Sequence, residues 1–382
     1  MSAVVVKIGS SSLVGADGSP RADRIEELAS QIAELRLREY QVLLVSSGAV
    51  ATGRAALGWG TRQLSGANRR AAAAVGQGIL ARVYELALAS CGLNLAQVLV
   101  TRTDVAKRPA YVAFGMTLRA LLDRGVIPVL NENDTLADPS LSFPDNDTLA
   151  AIVAGMIQAD WLLLLTDTPG LYTADPKTNP GAVAIPVLSE LTAETMALAG
   201  KSASQLGRGG MDGKLAAASL AREVGVKVAI AAADVPEGIL RWVLRGEQPG
   251  TLILPVQRPL SARQHWIRRI APVAGTLFVD EGAARAVLGR RASLLVAGIT
   301  RVEGLFAGGD VVDIACAQPG DRNAGEPLAR GVVGCDAVAL SAQLADLRGG
   351  SRGLAEGRQG RSGAARAAVH RDDLVVLSRS GS

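Results

Sequence analysis

The sequence predicts an α/β protein: a three-layer αβα sandwich around a mostly parallel sheet, followed by a small β-rich domain. Two observations predict the first part. Short β-branched runs alternate with longer helix-like stretches, the order of a parallel sheet with helices on both faces. Each run is apolar throughout instead of alternating, which suits a strand buried on both sides. The third observation is a change of composition near "LPVQRPLSARQHW" (254–266), after which the runs shorten and turn signals such as "AGGD" and "QPGD" separate them.

Taken in order, the strand "VVVKI" (4–8) is followed by the helix-like "ADRIEELASQIAELRLRE" (22–39). "VLLVS" (42–46) precedes "ANRRAAAAVGQGILARVYELALAS" (67–90), and "AQVLV" (96–100) precedes "FGMTLRALLDRG" (114–125). "VIPVL" (126–130) leads to "DTLAAIVAGMIQA" (147–159), and "WLLLLT" (161–166) and "VKVAIA" (226–231) complete the series. The second region holds "GTLFVD" (275–280), "SLLVAGIT" (293–300), "DVVDIAC" (310–316), "RGVVGC" (330–335) and "DDLVVLS" (372–378), a small all-β or α+β domain. The expected boundaries are a first domain at 1–255, a linker at 256–266 and a second domain at 267–382. Before the last run, residues 348–370 are rich in Arg, Gly and Ala and read as a surface loop.

The 382 residues suffice for two domains with sizeable cores. With 48% hydrophobic and 20% charged residues the chain is globular and not disordered. Aromatics are only 3%, so the core is built from Ala, Val, Leu and Ile. A net charge of +4 does not by itself imply nucleic acid. Cys91, Cys316 and Cys335 show no C-x-x-C spacing, and with only 2 histidines a Cys/His zinc site is not expected. A reducing compartment fits these cysteines. The opening "MSAVVVKIGSSS" lacks a signal-peptide pattern, and no apolar run approaches the ~20 residues of a membrane span. The expectation is a cytoplasmic protein with no membrane partner.

Ligands of a parallel α/β sheet bind outside the carboxyl ends of the strands. The first run is followed by Gly9 and Ser10–Ser12, the second by "SSGAVATG", the fourth by "NENDT" and the fifth by "TDTPGLYTADP". Four polar, glycine-rich ends on one edge make a site. "LGRGGMDGKLAAA" (206–218) is not a Walker A loop: Arg208 stands where the first glycine belongs, and Leu215 where a hydroxyl belongs. Its small residues still let backbone N–H groups converge, and the helix beginning near Lys214 turns its positive end toward the loop. A plain glycine-rich helix entry is the alternative. Among 40 basic residues, lysine occurs only as Lys7, Lys107, Lys177, Lys201, Lys214 and Lys227. Lys7 and Lys214 sit beside glycines, where a compact ammonium differs from a planar guanidinium. Neither is expected in an apolar core position.

In order and spacing, "VVVKIGSSSL", "VSSGAVATG", "AAVGQG", "VLNENDT", "DNDTLAA", "LLLTDTPGLYTADP" and "GRGGMDGK" resemble the glutamate 5-kinase family of the amino-acid kinase superfamily. The tail, with "HWIRRIAPVAGTLFVDEGAARAVL", "SLLVAGIT" and "AVHRDDLVVLS", looks like the PUA domain attached to many bacterial members. The resemblance implies phosphoryl transfer from ATP to the γ-carboxylate of L-glutamate. It implies that Lys7 and Lys214 flank the phosphoryl group and that Asp147 orients them. It places Gly9, Thr166, Asp167 and the loop residues Arg208, Gly209, Gly210, Met211, Asp212 and Gly213 on the nucleotide. It places Ser47, Asp134 and Asn146 on glutamate, Asp134 facing the ammonium and Ser47, with the amides of Gly48 and Ala49, facing a carboxylate. Ordinary capping or turn chemistry is the alternative for Ser47 and Asn146. Mg²⁺ is implied, held mainly by ATP oxygens. Feedback inhibition by proline and a homo-oligomer are further implications.

The sequence departs from the family at four places. Arg208 replaces a usual threonine, and Gly213 a usual serine or threonine. "YVAFGMTLRALL" lacks an Asn–Ala–Arg pattern before Thr117, and the Arg/Gly-rich stretch replaces a glycine/tyrosine-rich one. Two other readings compete. One is a related kinase with another acceptor, such as acetylglutamate, aspartate or uridylate; the PUA-like tail and "DNDTLAA" oppose it. The other is an RNA-binding accessory protein with a degenerate kinase domain. Against RNA, the tail's aromatics Trp266, Phe278 and Phe306 are scattered and form no continuous basic-aromatic face.

Overall fold

The structure, a computed structural model, describes residues 1–60, 64–137, 142–174, 176, 178–199, 210–289, 292–316, 326–349 and 367–377. It divides into two compact units, Met1–Ala262 and Arg263–Ser382.

The first unit runs β1 (Ala3–Ile8), α1 (Ser10–Leu13), α2 (Ala22–Leu37), β2 (Gln41–Val45), α3 (Ala49–Ala56), α4 (Gly66–Ser90), β3 (Leu95–Val100), α5 (Arg102–Ala106), α6 (Arg108–Asp123) and β4 (Ile127–Glu132). It continues with α7 (Asn146–Ile157), β5 (Trp161–Thr166), β6 (Val187–Leu188), α8 (Ala193–Leu198), α9 (Met211–Arg222), β7 (Lys227–Ala232), α10 (Gly238–Val243) and β8 (Gly250–Ile253). The eight strands form one sheet in the order β3-β4-β2-β1-β5-β7-β8-β6. All pairs are parallel except β7 with β8.

The expected mostly parallel sheet is present, and all six expected strands are in it. Two strands had no sequence signal. β8 is four residues long and runs antiparallel, and β6 is a two-residue edge strand; neither is long enough to show a period. α6 starts at Arg108, six residues before the expected helix, with Pro109 in its first turn where a missing N–H costs nothing.

Strand side chains alternate between faces. Val4, Val6 and Ile8 of β1 join Val42, Leu44, Ile127, Val129, Leu163 and Leu165 in a core closed by residues of α2, α4 and α10. The opposite parity, Val5 and Lys7, faces the side on which α7 packs against β1 and β5, α6 against β4 and α9 against β7. Because β1 is buried on both faces, a lysine on it is a costly placement that a neighbouring charge has to offset.

The second unit contains β9 (Val273–Val279), α12 (Glu281–Leu288), β10 (Leu294–Leu295), β11 (Ile299–Gly304), β12 (Val311–Cys316), β13 (Pro327–Val333), α13 (Ala337–Gly349) and β14 (Ala367–Val376). Its sheet order is β10-β14-β13-β12-β9-β11. Only β12 and β9 are parallel. Its own core includes Leu277, Val279, Ile314, Leu328, Leu340 and Val369. "SLLVAGIT", expected as one run, divides into β10, a 3₁₀ turn at Val296–Gly298 and the start of β11. α11 (Ala262–His265) lies in the expected linker, and a π-helical turn at Trp266–Ile270 runs from its last residue into the expected second domain. Arg208, Gly209 and most of the Arg/Gly/Ala-rich stretch lie outside the described residues.

Candidate active site

The carboxyl ends of β1, β2, β4 and β5 lie along one edge of the sheet, and the polar segments read from the sequence follow them. Asp147 is the centre of the arrangement. It is the second residue of α7 and has 0% of its surface exposed. Lys7 Nζ lies 2.7 Å from Asp147 Oδ1, an ion pair without a well-aligned hydrogen bond. Lys214 Nζ donates to Asp147 Oδ2 at 3.2 Å. The two lysines come from opposite ends of the domain sequence, one on β1 and one on the first turn of α9, and meet on one carboxylate.

The sequence reading placed neither lysine in the core. The structure buries both, at 6% and 4% exposure. The reason is Asp147: each ammonium has an anionic partner, so burial does not strand it. Burial pushes the Asp147 carboxyl up, and Lys7 and then Lys214 outweigh it, holding the group below its ordinary value. The triad brings two basic side chains and one acidic one together, a formal net +1 on buried groups.

Asp145 caps α7, accepting from Thr148 N–H at 2.7 Å. Asn146 is therefore not the cap. Its Nδ2 donates to Ser46 C=O at 2.9 Å, Ser47 Oγ at 3.0 Å and Asn131 Oδ1 at 3.0 Å. Ser47 is not a cap either; Gly48 is the N-cap of α3, at φ 100°. A Cβ on Gly48 would strike Val14 Cγ2 at 2.6 Å, so this turn accepts only glycine. Asp134 lies half-buried in the turn after β4.

On the other side, Thr166 ends β5, and its Oγ1 donates to Asp167 Oδ1 at 3.1 Å. Gly9 N–H donates to Leu165 C=O at 3.2 Å, so the chain leaving β1 stays beside the end of β5. A Cβ at position 9 would meet nothing closer than 3.7 Å, and the residue is extended at φ −73°. The fold itself does not require glycine there. Gly210 is the extended N-cap of α9, with no side-chain cap, and Met211, Asp212 and Gly213 form the first turn, whose N–H groups have no intrahelical acceptor. A Cβ on Gly213 would run into Asp145 Oδ2. A side chain at 213 is accommodated only if the Asp145 carboxylate shifts.

Sequence reading missed Gln77, Asn131 and Glu132. Each lay inside a quoted motif, but nothing local marks a buried amide as part of a network. Asn131 Nδ2 donates to Gln77 Oε1 at 2.8 Å, and Glu132 Oε1 accepts from Phe143 N–H at 2.8 Å. Among the described residues no group of three His, Cys, Asp or Glu is arranged to hold a metal ion. No helix is long and apolar enough to cross a membrane.

The first unit is thus an α/β sandwich whose strand ends carry a buried lysine pair bridged by one carboxylate. The amino acid kinase family model matches residues 2–232, and a PUA domain model matches residues 275–343. The chain is 41% identical over 374 residues to the glutamate 5-kinase of Moorella thermoacetica, covering 98% of this chain and 96% of that one. It is 44% identical over 378 residues to the glutamate 5-kinase of Acaryochloris marina, covering 98% of both. Among solved structures it is similar to isopentenyl phosphate kinase, at TM-score 0.49 and 22% identity over 66% of this chain and 99% of that one. The chain belongs to the glutamate 5-kinase family, with an amino acid kinase domain and a PUA domain.

Proposed function

We propose that this protein transfers the γ-phosphoryl group of ATP to the γ-carboxylate of L-glutamate, giving γ-glutamyl phosphate and ADP, the first step of proline synthesis. The observation that carries the mechanism is Asp147 holding Lys7 and Lys214 by its two oxygens. A γ-carboxylate oxygen forms a bond to phosphorus as the bond to the ADP oxygen breaks. Negative charge is spread over the three equatorial oxygens in flight, and little covalent work is left to the protein. Two ammonium groups fixed beforehand supply the positive charge without reorganisation. Asp147 sets their spacing and offsets the cost of burying both ammonium groups.

Gly9, Thr166, Asp167 and the start of α9 from Gly210 to Lys214 form the nucleotide side of this reading, with Arg208 and Gly209 assigned by resemblance alone. That the fold leaves room for a side chain at Gly9 supports a ligand approaching its backbone. Ser47, Asp134 and Asn146 form the glutamate side. Asp147 has both oxygens engaged by lysines, so the central carboxylate does not fit a resident metal. Mg²⁺ enters as the Mg–ATP complex, carried by phosphate oxygens.

The resemblance adds feedback inhibition by proline, which shares the α-carboxylate and amine of glutamate, and assembly as a homo-oligomer. A cytoplasmic setting suits the three free cysteines. The test is to incubate the protein with Mg–ATP and L-glutamate, and to trap acyl phosphate with hydroxylamine. Hydroxamate should form with glutamate and not with acetylglutamate, aspartate or UMP offered in its place. ADP release without hydroxamate, or a preference for another acceptor, overturns the reading.

A further inference from the structure

We infer that Asn131, held in place by Gln77 and acting together with the Ser46 carbonyl, is a positioning residue for the polarity of Asn146, so that the amide offers its carbonyl oxygen, and not its NH₂, to the substrate ammonium. The inference rests on the glutamate reading above and deepens it.

The chain of constraints begins with groups whose polarity cannot change. Glu132 N–H can only donate, and it meets the Asn131 side chain at 2.9 Å, so the atom facing it is Oδ1. The other end of that amide is then Nδ2, which donates to Gln77 Oε1 at 2.8 Å. Asn131 Oδ1 also faces the Asn146 amide at 3.0 Å, so Asn146 turns Nδ2 toward it. Ser46 C=O can only accept, and it meets the same nitrogen at 2.9 Å. With Ser47 Oγ at 3.0 Å, three acceptors surround a nitrogen that carries two hydrogens.

What remains is Asn146 Oδ1. Asn146 is half-exposed, and no described residue donates to this oxygen. An acceptor at the substrate side selects a donor. Of the groups on glutamate, only the α-ammonium donates. A freely turning amide would offer NH₂ as readily and would favour a carboxylate. Gln77 and Asn131 are both buried.

The experiment compares L-glutamate with glutarate, which keeps both carboxylates and lacks the ammonium. The KM for glutamate and ATP and the competitive inhibition constant for glutarate are measured in the wild type, Asn131→Leu and Asn131→Asp. Asn131→Leu should raise the KM for glutamate about tenfold or more, and leave the glutarate constant within about threefold and the KM for ATP within about twofold. Asn131→Asp keeps an oxygen facing Glu132 N–H and Asn146 Nδ2, and should restore the glutamate-to-glutarate ratio. Parallel weakening of both ligands in Asn131→Leu, or a ratio that Asn131→Asp does not restore, overturns the inference. If Asn131→Leu does not fold, Gln77→Leu is read on the same ratio, with Gln77→Glu, which retains the acceptor, as its restoring partner. A wild type that forms no glutamyl hydroxamate refutes the glutamate reading itself; a wild type that forms it while the ratios stay fixed refutes only the amide relay.

Discussion

At the scale of single residues, the Lys7–Asp147–Lys214 triad makes the sharpest predictions. Lys7→Ala and Lys214→Ala should each lower kcat by ~10²-fold or more, the scale for losing one preorganised electrostatic group. Either variant should fold, since the other lysine still pairs with Asp147. Removing both leaves a buried carboxylate with no cation from the triad, which should cost about 3–5 kcal/mol of stability in urea unfolding. A folded single variant with near wild-type turnover would remove that lysine from the chemistry. The pH dependence follows from the same group. The folded-state pKa of Asp147 lies below its unfolded value, so its contribution is fully present above roughly pH 4 and is lost as pH falls further through the folded pKa. In Lys7→Ala/Lys214→Ala, desolvation acts without the cations, and the loss should move to higher pH in urea titrations. Asp134 makes a different prediction. On the proposed reading, in which Asp134 faces the glutamate ammonium and no phosphate, Asp134→Ala should raise the KM for glutamate well beyond that for ATP. Equal effects on both substrates would make Asp134 structural.

At the scale of elements, α3 and α4 cross with their backbones in contact. A Cβ on Gly53 would come within 2.7 Å of Gly76 N and overlap Ala72 C=O. A Cβ on Gly76 would come within 2.8 Å of the Ala49 carbonyl carbon. These atoms are backbone and cannot step aside as a side chain would. The crossing matters because the first turn of α3 follows Ser47 and Gly48, the proposed carboxylate site. Gly53→Ala should therefore cost about 1–3 kcal/mol, as overpacking does, and raise the KM for glutamate more than that for ATP. Thermal unfolding and steady-state kinetics check this together. An unchanged Tm with unchanged KM would mean that the helices separate freely.

At the scale of the whole molecule, each unit has its own sheet and its own core. Every residue assigned to the reaction lies in the first. A chain ending at Ala262 should fold and retain hydroxamate formation, because truncation there removes none of the triad, the amide network or the start of α9. A soluble, folded truncation without activity would show that the second unit completes the site. Proline inhibition of the truncated and full-length proteins, measured side by side, then assigns regulation to one unit or to both.

The amino-acid sequence by itself determined the elements and their order. Apolar runs such as "VVVKI" and "WLLLLT" declare strands buried on both faces because burial selects composition locally, residue by residue. Lys7, Asp147 and Lys214, which the structure brings together, were legible as a set through motif order. Three things needed the tertiary structure. The depth of the lysines depended on Asp147, which is 140 residues from Lys7 and 67 from Lys214 in the chain. The need for glycine at 53 and 76 arises only where two helices cross. The orientation of the Asn146 amide is imposed by Asn131, Ser46 and Ser47, at sequence separations of 15, 100 and 99. Local sequence records what a residue is and which secondary structure it favours. Charge compensation, backbone contact and amide polarity are properties of pairs, and a pair exists only after folding has brought its members together.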